Sequence, residues 1–438
     1  MSIVELVREA GVVGAGGAGF PTHAKIDTRA DVVIANGAEC EPLLRTDQYI
    51  MDHYAEELIA GLKLVVNQVA AQHGIIALKR KHRAVVEKLQ SLVAQEPNIE
   101  VLLLDNVYPT GDEHVLVNLA IRKVVPEGGI PLQVGAVVSN VTTLLNVYYA
   151  SLGHPVLDRF VTVVGEVQSP AIAKVPVGTM VSELIDAVGG PTIQDYRVIH
   201  GGPMMGDVLE SLATPVTKLT GGLIVLPSSH KMIVQKTRDL KTQFRKARSA
   251  CCQCVYCTTM CPRYRLGHNL EPHKVMRALG GSIEDNIEDF TQAYLCTECG
   301  ICGFYACVHE LMPFQANRWV KEKLRDSQTP NPHRRTDITV RDGLMPIGVP
   351  TERLLKRVRL GQYEVHGALS VLELQPSVVS IPLRQHIGAP AQAIVQVGDK
   401  VERGQLVGEI PGDALGAKVH STITGYVTEV TDHVVIKS

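Results

Sequence analysis

The feature that most limits what this chain can fold into is a pair of cysteine runs past its middle. Cys251, Cys254, Cys257 and Cys261 are spaced C-x2-C-x2-C-x3-C and followed by Pro262. Cys296, Cys299, Cys302 and Cys307 repeat the pattern with one extra residue before the last cysteine and Val308 where the proline would stand. Nine of the ten cysteines lie between Cys251 and Cys307. In a small secreted domain that density would build a disulfide framework. In a chain of 438 residues, thiols crowded into one short stretch argue for metal ligation instead.

The first run is the bacterial ferredoxin spacing to the residue, and it implies a 4Fe-4S cluster. The short spacings let one tight loop offer three thiolates, while the fourth cysteine sits on the emerging helix and points elsewhere. Paired C-x2-C motifs also make zinc knuckles, but a third cysteine two residues on is surplus to tetrahedral zinc in both runs. In two-cluster ferredoxins the last cysteine of each run serves the other cluster. That habit assigns Cys251, Cys254, Cys257 and Cys307 to one cluster and Cys296, Cys299, Cys302 and Cys261 to the other. Cys252 and Cys40 lie off the spacing and read as small buried hydrophobes.

The runs occupy a small part of the chain, whose length leaves room for two to four domains. With 43 Lys+Arg against 45 Asp+Glu, a formal charge of -2 offers no field for gathering a phosphate backbone, so no nucleic-acid partner is expected. Glu5, Arg8 and Glu9 interrupt the N-terminal apolar residues, so no secretory signal is expected there. No apolar run approaches the roughly 18 to 20 residues of a membrane span, so no direct membrane insertion is expected either.

Ile3, Leu6, Val7 and Ala10 share one face of a short helix that Gly11 ends, and a glycine-rich turn follows at once. Strands are expected over residues 31–35, 74–78, 101–104 and 135–138, alternating with helices over 51–72 and 81–95, which is an α/β domain. Short β-rich runs then surround an amphipathic helix over 181–188, as in a β-grasp unit. Basic helical sequence over 231–250 enters the cysteine region. A Pro- and Arg-rich stretch over 329–352 reads as a surface linker, and the last seventy residues or so are again β-rich.

Gly14-Ala-Gly16-Gly17-Ala-Gly19 matches G-x-G-x-x-G by letter, but a dinucleotide fold needs that turn after a strand, and here it follows a helix. What carries over is physical: backbone without side chains can approach a phosphate or a flavin closely. Three further polar breaks follow apolar strands: Asn36 to Glu41, Tyr108 to Glu113, and Ser139 to Thr143. Strand ends of open α/β sheets are where ligands bind, so the four segments together outline one pocket.

At these residues the chain resembles a known group. Gly14 to Lys25, Asn36 to Pro42, Tyr108 to Glu113 and Ser139 to Leu144 look like the FMN- and NADH-binding motifs of the flavoprotein subunit of respiratory complex I and of the Rnf complex C subunit. The whole order, adding Gly201-Gly-Pro-Met-Met-Gly206, the two cysteine runs and Arg384-Gln-His-Ile-Gly-Ala389, most resembles the cobalamin reductases of propanediol-utilisation microcompartments.

The resemblance implies an α/β multidomain chain: a complex I flavoprotein-like FMN/NADH-binding domain over 1–155, an SLBB β-grasp domain over 156–230 and a helical ferredoxin domain with two 4Fe-4S clusters over 240–328. A linker over 329–375 and an unmodified biotinyl/lipoyl-like barrel-sandwich hybrid over 376–438 complete it. Gly14, Gly16, Gly17 and Lys25 would hold FMN, with Asn36, Tyr108, Gly111, Asp112, Glu113, Asn140 and Thr143 completing the pocket and Lys25 opposing the phosphate charge. Glu39 and Glu41 would lie near the nicotinamide nucleotide. Ala15 stands where complex I has arginine, which implies weaker flavin or nucleotide binding. In the C-terminal barrel no modification lysine is found, and Lys418 is expected at the surface.

The implied activity is electron transfer from NADH through FMN and two 4Fe-4S clusters to cobalamin, in a cytoplasmic bacterial microcompartment. Beyond the cofactors, no catalytic side chain is expected. Partners would be an adenosyltransferase carrying the cobalamin and other microcompartment shell or enzyme proteins. No Asp-x-His-x-x-Gly corrinoid motif occurs, so the acceptor rests on the resemblance alone. Two alternatives stand beside this reading: an Rnf-like electron-transfer subunit of a larger complex, and regeneration of NAD with another acceptor. Ser2 to Ala10 could serve as an encapsulation peptide, but because it runs straight into the glycine loop it is read as packing on its own domain.

Overall fold

A computed structural model describes residues 1–279, 287–341 and 347–438. Its first unit is built on four parallel strands in the order Ile99–Leu104, His73–Lys79, Val32–Gly37, Ala136–Asn140. The middles of the strands are rich in Val, Ile and Leu because helices bury both faces, as parallel sheets require. After Val32–Gly37 the chain winds to one side, then returns to lay Ala136–Asn140 against the other edge of that same strand. The resulting switch point pairs Asn36 with Asn140.

The N-terminal helix Ile3–Glu9 carries a capping box between Ser2 and Glu5, and Val7 is fully buried in the core of this unit, as the packing reading expects. The helix expected over 51–72 is two helices, Thr46–His53 and Ala55–Gln68, parted by Tyr54 in a non-helical conformation.

The second unit is a six-stranded mixed sheet in the order Ser370–Glu373, Ala171–Pro176, Asp158–Gly165, Gly222–Pro227, Tyr196–His200, Asp207–Val208, packed on the helix Val181–Ala187. Its edge strand Ser370–Glu373 comes from the stretch read as a linker. The same stretch supplies Val349–Pro350, which pairs with Val107–Tyr108 of the first unit. The linker expectation is therefore corrected in part. Residues 329–341 lack regular structure and residues 342–346 lie outside the described residues, whereas residues 349–373 bind two units together. The cysteine region is made of short helices backed by Leu240–Ala250 and Pro313–Asp326. Two small antiparallel sheets form the C-terminal unit around Val379, Val401, Val407 and Ile436. Lys418 is not at its surface: it is 8% exposed, and its ammonium pairs with Glu9 at 2.8 Å and Glu409 at 3.0 Å. No helix among the described residues is long and apolar enough to cross a membrane.

Candidate functional site

The four segments singled out in the sequence meet at the carboxyl edge of the parallel sheet, at its switch point. Asn36 donates to the Gly111 carbonyl at 2.9 Å, tying the end of one strand to the Tyr108–Glu113 segment. Asn140 caps the helix Val141–Ser151 by accepting from Thr142 N at 2.8 Å, and Asp112 caps Glu113–Ile121 by accepting from His114 and Val115. Two helix N-termini therefore face the same edge. The glycine loop closes over it: a Cβ on Gly16 would meet Asn140 at 2.9 Å, and the Ala15 N–H donates to Thr143 Oγ1 at 2.9 Å. Gly16 and Gly17 are exposed, and Gly17 looks onto open space. Lys25 stands at the mouth, 3.2 Å from Glu113. Bare backbone, helix N-termini and a half-free cation are the donor set a phosphorylated flavin needs, so the residues present fit FMN.

Glu39 and Glu41 face inward rather than toward the mouth. Glu39, at φ +32, accepts from Thr46 Oγ1, Asp47 N and Gln48 N at 3.0, 2.9 and 3.1 Å and so caps Thr46–His53. Glu41 accepts from Met204 N at 2.8 Å and Met205 N at 3.0 Å, seated in the Gly201–Gly206 loop, where a Cβ on Gly202 would strike it at 2.1 Å. Beneath the pocket lie groups that sequence reasoning missed. Asp47 accepts from Asn140 Nδ2 at 2.8 Å, and burial together with the charge of Glu39 pushes its carboxyl up to about 7. Arg159, 6% exposed, donates to the Ala15 carbonyl at 3.0 Å. Its only sequence signal was a charge inside an apolar strand. The guanidinium thus reaches the Ala15 backbone from another domain, although Ala15 itself carries none.

The cysteine runs share one backbone shape. Gln253 and Glu298, each between the first two cysteines of its run, both have positive φ, and so do Val255 and Gly300 after the second cysteine. A β-branched residue at φ +66 is strained, and the strain fits a loop wrapped on a ligand. Cys261, Cys296, Cys299 and Cys302 line one small cavity with Pro262, Leu270, Pro272 and Phe314. Burial raises the Cys302 thiol well above its ordinary value, and the thiols opposing its ionisation are Cys296 and Cys299 first. Cys257 is pushed up to about 12 by burial and then by Cys307, Cys251 and Cys254. Cys257 thus faces the three cysteines expected with it, whereas Cys302 faces Cys257 of the other set as well as Cys261, so these neighbours leave the division of the eight thiols open. Among the described residues no three His, Cys, Asp or Glu side chains gather around a single ion. Buried thiols that hinder one another's ionisation need positive charge among them, which the irons of a cubane supply. The Tyr108–Glu113 segment reaches the second cysteine run: the fully buried Tyr108 donates its hydroxyl to the Cys299 carbonyl at 2.7 Å and lies 3.4 Å from Glu41.

The Nuo51 FMN-binding domain family matches residues 7–149, the SLBB domain 160–208, the 4Fe-4S dicluster domain 250–312 and the RnfC barrel sandwich hybrid domain 367–438. Cobalamin reductase PduS of Salmonella typhimurium is 39% identical over 438 residues, covering 99% of this chain and 95% of that protein. The chain belongs to the PduS cobalamin reductase family. The PduS of Citrobacter freundii is also 39% identical, over 98% of this chain and 95% of that protein. The C subunit of the Na(+)-translocating ferredoxin:NAD(+) oxidoreductase complex of Acetobacterium woodii is 33% identical over 267 residues, 60% of this chain and 58% of that one. Membership of the PduS family makes the chain an oxidoreductase with an FMN-binding domain and a 4Fe-4S dicluster domain.

Proposed function

We propose that this chain takes electrons from NADH onto FMN and passes them through two 4Fe-4S clusters to cobalamin, held by a partner adenosyltransferase inside a bacterial microcompartment. The observation that carries the electron path is the Tyr108 hydroxyl on the Cys299 carbonyl, which makes the flavin pocket and a cluster site neighbours. The acceptor and the compartment rest on the full-length similarity to proteins named cobalamin reductase. Bound FMN supplies the exchange of a hydride's two electrons for single ones, which a cluster requires.

The chain's own residues hold and orient. Gly14, Gly16 and Gly17 offer backbone to the flavin phosphate, and Lys25 opposes its charge. Asn36, Gly111, Asp112, Glu113, Asn140 and Thr143 shape the pocket edge, and Tyr108 joins it to the second cysteine run. Glu39 and Glu41 keep the pocket's lining in register by their bonds to Thr46–Gln48 and to Met204 and Met205. Cys251, Cys254, Cys257 and Cys307 hold one cluster, and Cys261, Cys296, Cys299 and Cys302 the other.

The similarity to an Rnf-type C subunit favours a second reading, an electron-transfer component of a larger complex. The test is anaerobic purification with iron, sulfide and flavin analysis, then visible spectra before and after NADH. About eight irons and one FMN, bleached by NADH, support the reductase. Zinc in place of iron, or clusters that NADH leaves oxidised, would sink it. Reduction of cobalamin by the isolated chain, compared with artificial acceptors, separates the reductase from the larger-complex reading.

A further inference from the structure

The glycine loop is open at the front and gripped from behind by parts of the chain two and four hundred residues away. At its entrance Gly11 has φ +64, and a Cβ there would strike the Lys418 carbonyl at 2.2 Å and Lys218 Nζ at 2.8 Å. Lys218 Nζ donates to the Gly11 carbonyl at 2.7 Å and the Lys418 carbonyl at 2.9 Å. At the exit Gly19 has φ +75, and a Cβ would press on Leu219 at 3.0 Å and on the Gln385 carbonyl and His386 Cα at 3.1 Å. Ile387 N donates to the Gly19 carbonyl at 3.3 Å. Gln385 Oε1 accepts from Lys218 N at 2.9 Å, which locks the two grips together. His386 Nε2 lies 2.9 Å from Ala417 N and 3.1 Å from the Ala389 carbonyl, which anchors the segment within the C-terminal unit.

Lys218 is 4% exposed, and its ammonium is held by backbone carbonyls, with no carboxylate in an ion pair with it among the described residues. Burial holds its value down to about 7, so near neutral pH the amine is only partly charged, and its two backbone carbonyl partners rather than an ion pair fix its place. We propose that Lys218 and the Gln385–Ile387 segment are a positioning clamp that holds the glycine loop in its flavin-binding shape. Flavin affinity in the first unit is then set by the second and the C-terminal units. The inference rests on the flavin reading above, and it gives the Arg384–Ala389 motif a role that the electron path leaves unassigned.

The test titrates flavin-stripped full-length protein with FMN, followed by flavin fluorescence, for wild type, Lys218→Met and Gln385→Ala. Lys218→Met is expected to weaken FMN binding about tenfold or more, with iron and sulfide content unchanged. FMN affinity within about twofold of wild type in a folded Lys218→Met protein overturns the clamp. Should that variant not fold, Gln385→Ala decides by the same two outcomes. A wild type that binds no FMN removes the flavin reading itself, whereas wild-type binding matched by both variants removes only the clamp.

Discussion

The group of Cys261, Cys296, Cys299 and Cys302 and the group of Cys251, Cys254, Cys257 and Cys307 share a loop shape but not a setting. In the first, Cys261 and Cys302 are 7% and 6% exposed and Leu270, Pro262, Pro272 and Phe314 close the cavity. In the second, Cys254 is exposed, and Tyr256 next to Cys257 and Val308 next to Cys307 are 55% and 58% exposed. Solvent exposure and nearby charge tune cluster potentials. Burial among apolar groups makes added negative charge costlier, so the deep group, which adjoins Tyr108, should hold the lower potential and the shallow group the higher. On the proposed path, this difference in housing rather than ligand type would set the direction, from flavin pocket to surface.

The largest expected effect comes from emptying the deep cavity. Cys302→Ala should lose about four irons and several kcal/mol of stability, because the cluster fills the space between the helices that bear its ligands. Cys254→Ala should lose about as much iron while the melting temperature falls far less. Iron analysis beside calorimetry checks this, and equal losses of stability would erase the contrast. The crossed assignment is sharpened by Cys307→Ser, which should abolish the electron paramagnetic resonance signal of the shallow cluster although Cys307 belongs to the second run. Cys261→Ser should do the same to the deep one. Loss of the opposite signal in either variant would uncross the groups.

The two cysteine runs were legible in the sequence because their spacing dictates a loop with thiols on one side, and both loops share one pattern of positive φ. The flavin edge was legible for a related reason: each segment breaks an apolar strand at its carboxyl end, and a parallel sheet gathers those ends. What the sequence hid are long-range partners. Nothing local marks Glu41 as the occupant of a loop more than 160 residues on, or Lys418 as buried beneath Glu9. The two-residue strand Val349–Pro350 has no periodicity to read, yet it fixes the segment that carries Tyr108. Ala15 was read as a lost cation, while the cation reaching its backbone comes from Arg159 in the next unit.

Tyr108→Phe tests the contact with the second cysteine run. It leaves the Cys299 carbonyl without its donor in a fully buried place, which should cost about 1 to 3 kcal/mol. Stopped-flow spectra should show flavin bleached by NADH at the wild-type rate and the deep cluster reduced more slowly. Equal rates in variant and wild type would leave the contact without a part in the path.

Asp47 gives the flavin side a pH signature of its own. Its ordinary value of 3.8 is raised to about 7 by burial and by Glu39, so its contribution to stability is full below about pH 4 and lost as pH rises through 7. The unfolding free energy of wild type relative to Asp47→Asn should therefore fall between pH 5 and pH 8, by about 2 to 3 kcal/mol. A gap that stays level across that range would show that the pair it forms with Glu39 is ionised throughout.

Tyr256→Ser should matter least to the fold. A side chain 55% exposed forms little of the core, so stability should stay within about 0.5 kcal/mol of wild type and iron content should not change. The same ring stands beside the shallow cysteines, so what it can alter is the approach of an electron acceptor. The rate of reduction of a protein acceptor is then the quantity to compare with the rate for a small soluble one. If the substitution instead cost as much stability as Tyr108→Phe, Tyr256 would be covering the shallow group, and the difference in exposure that orders the two groups would be gone.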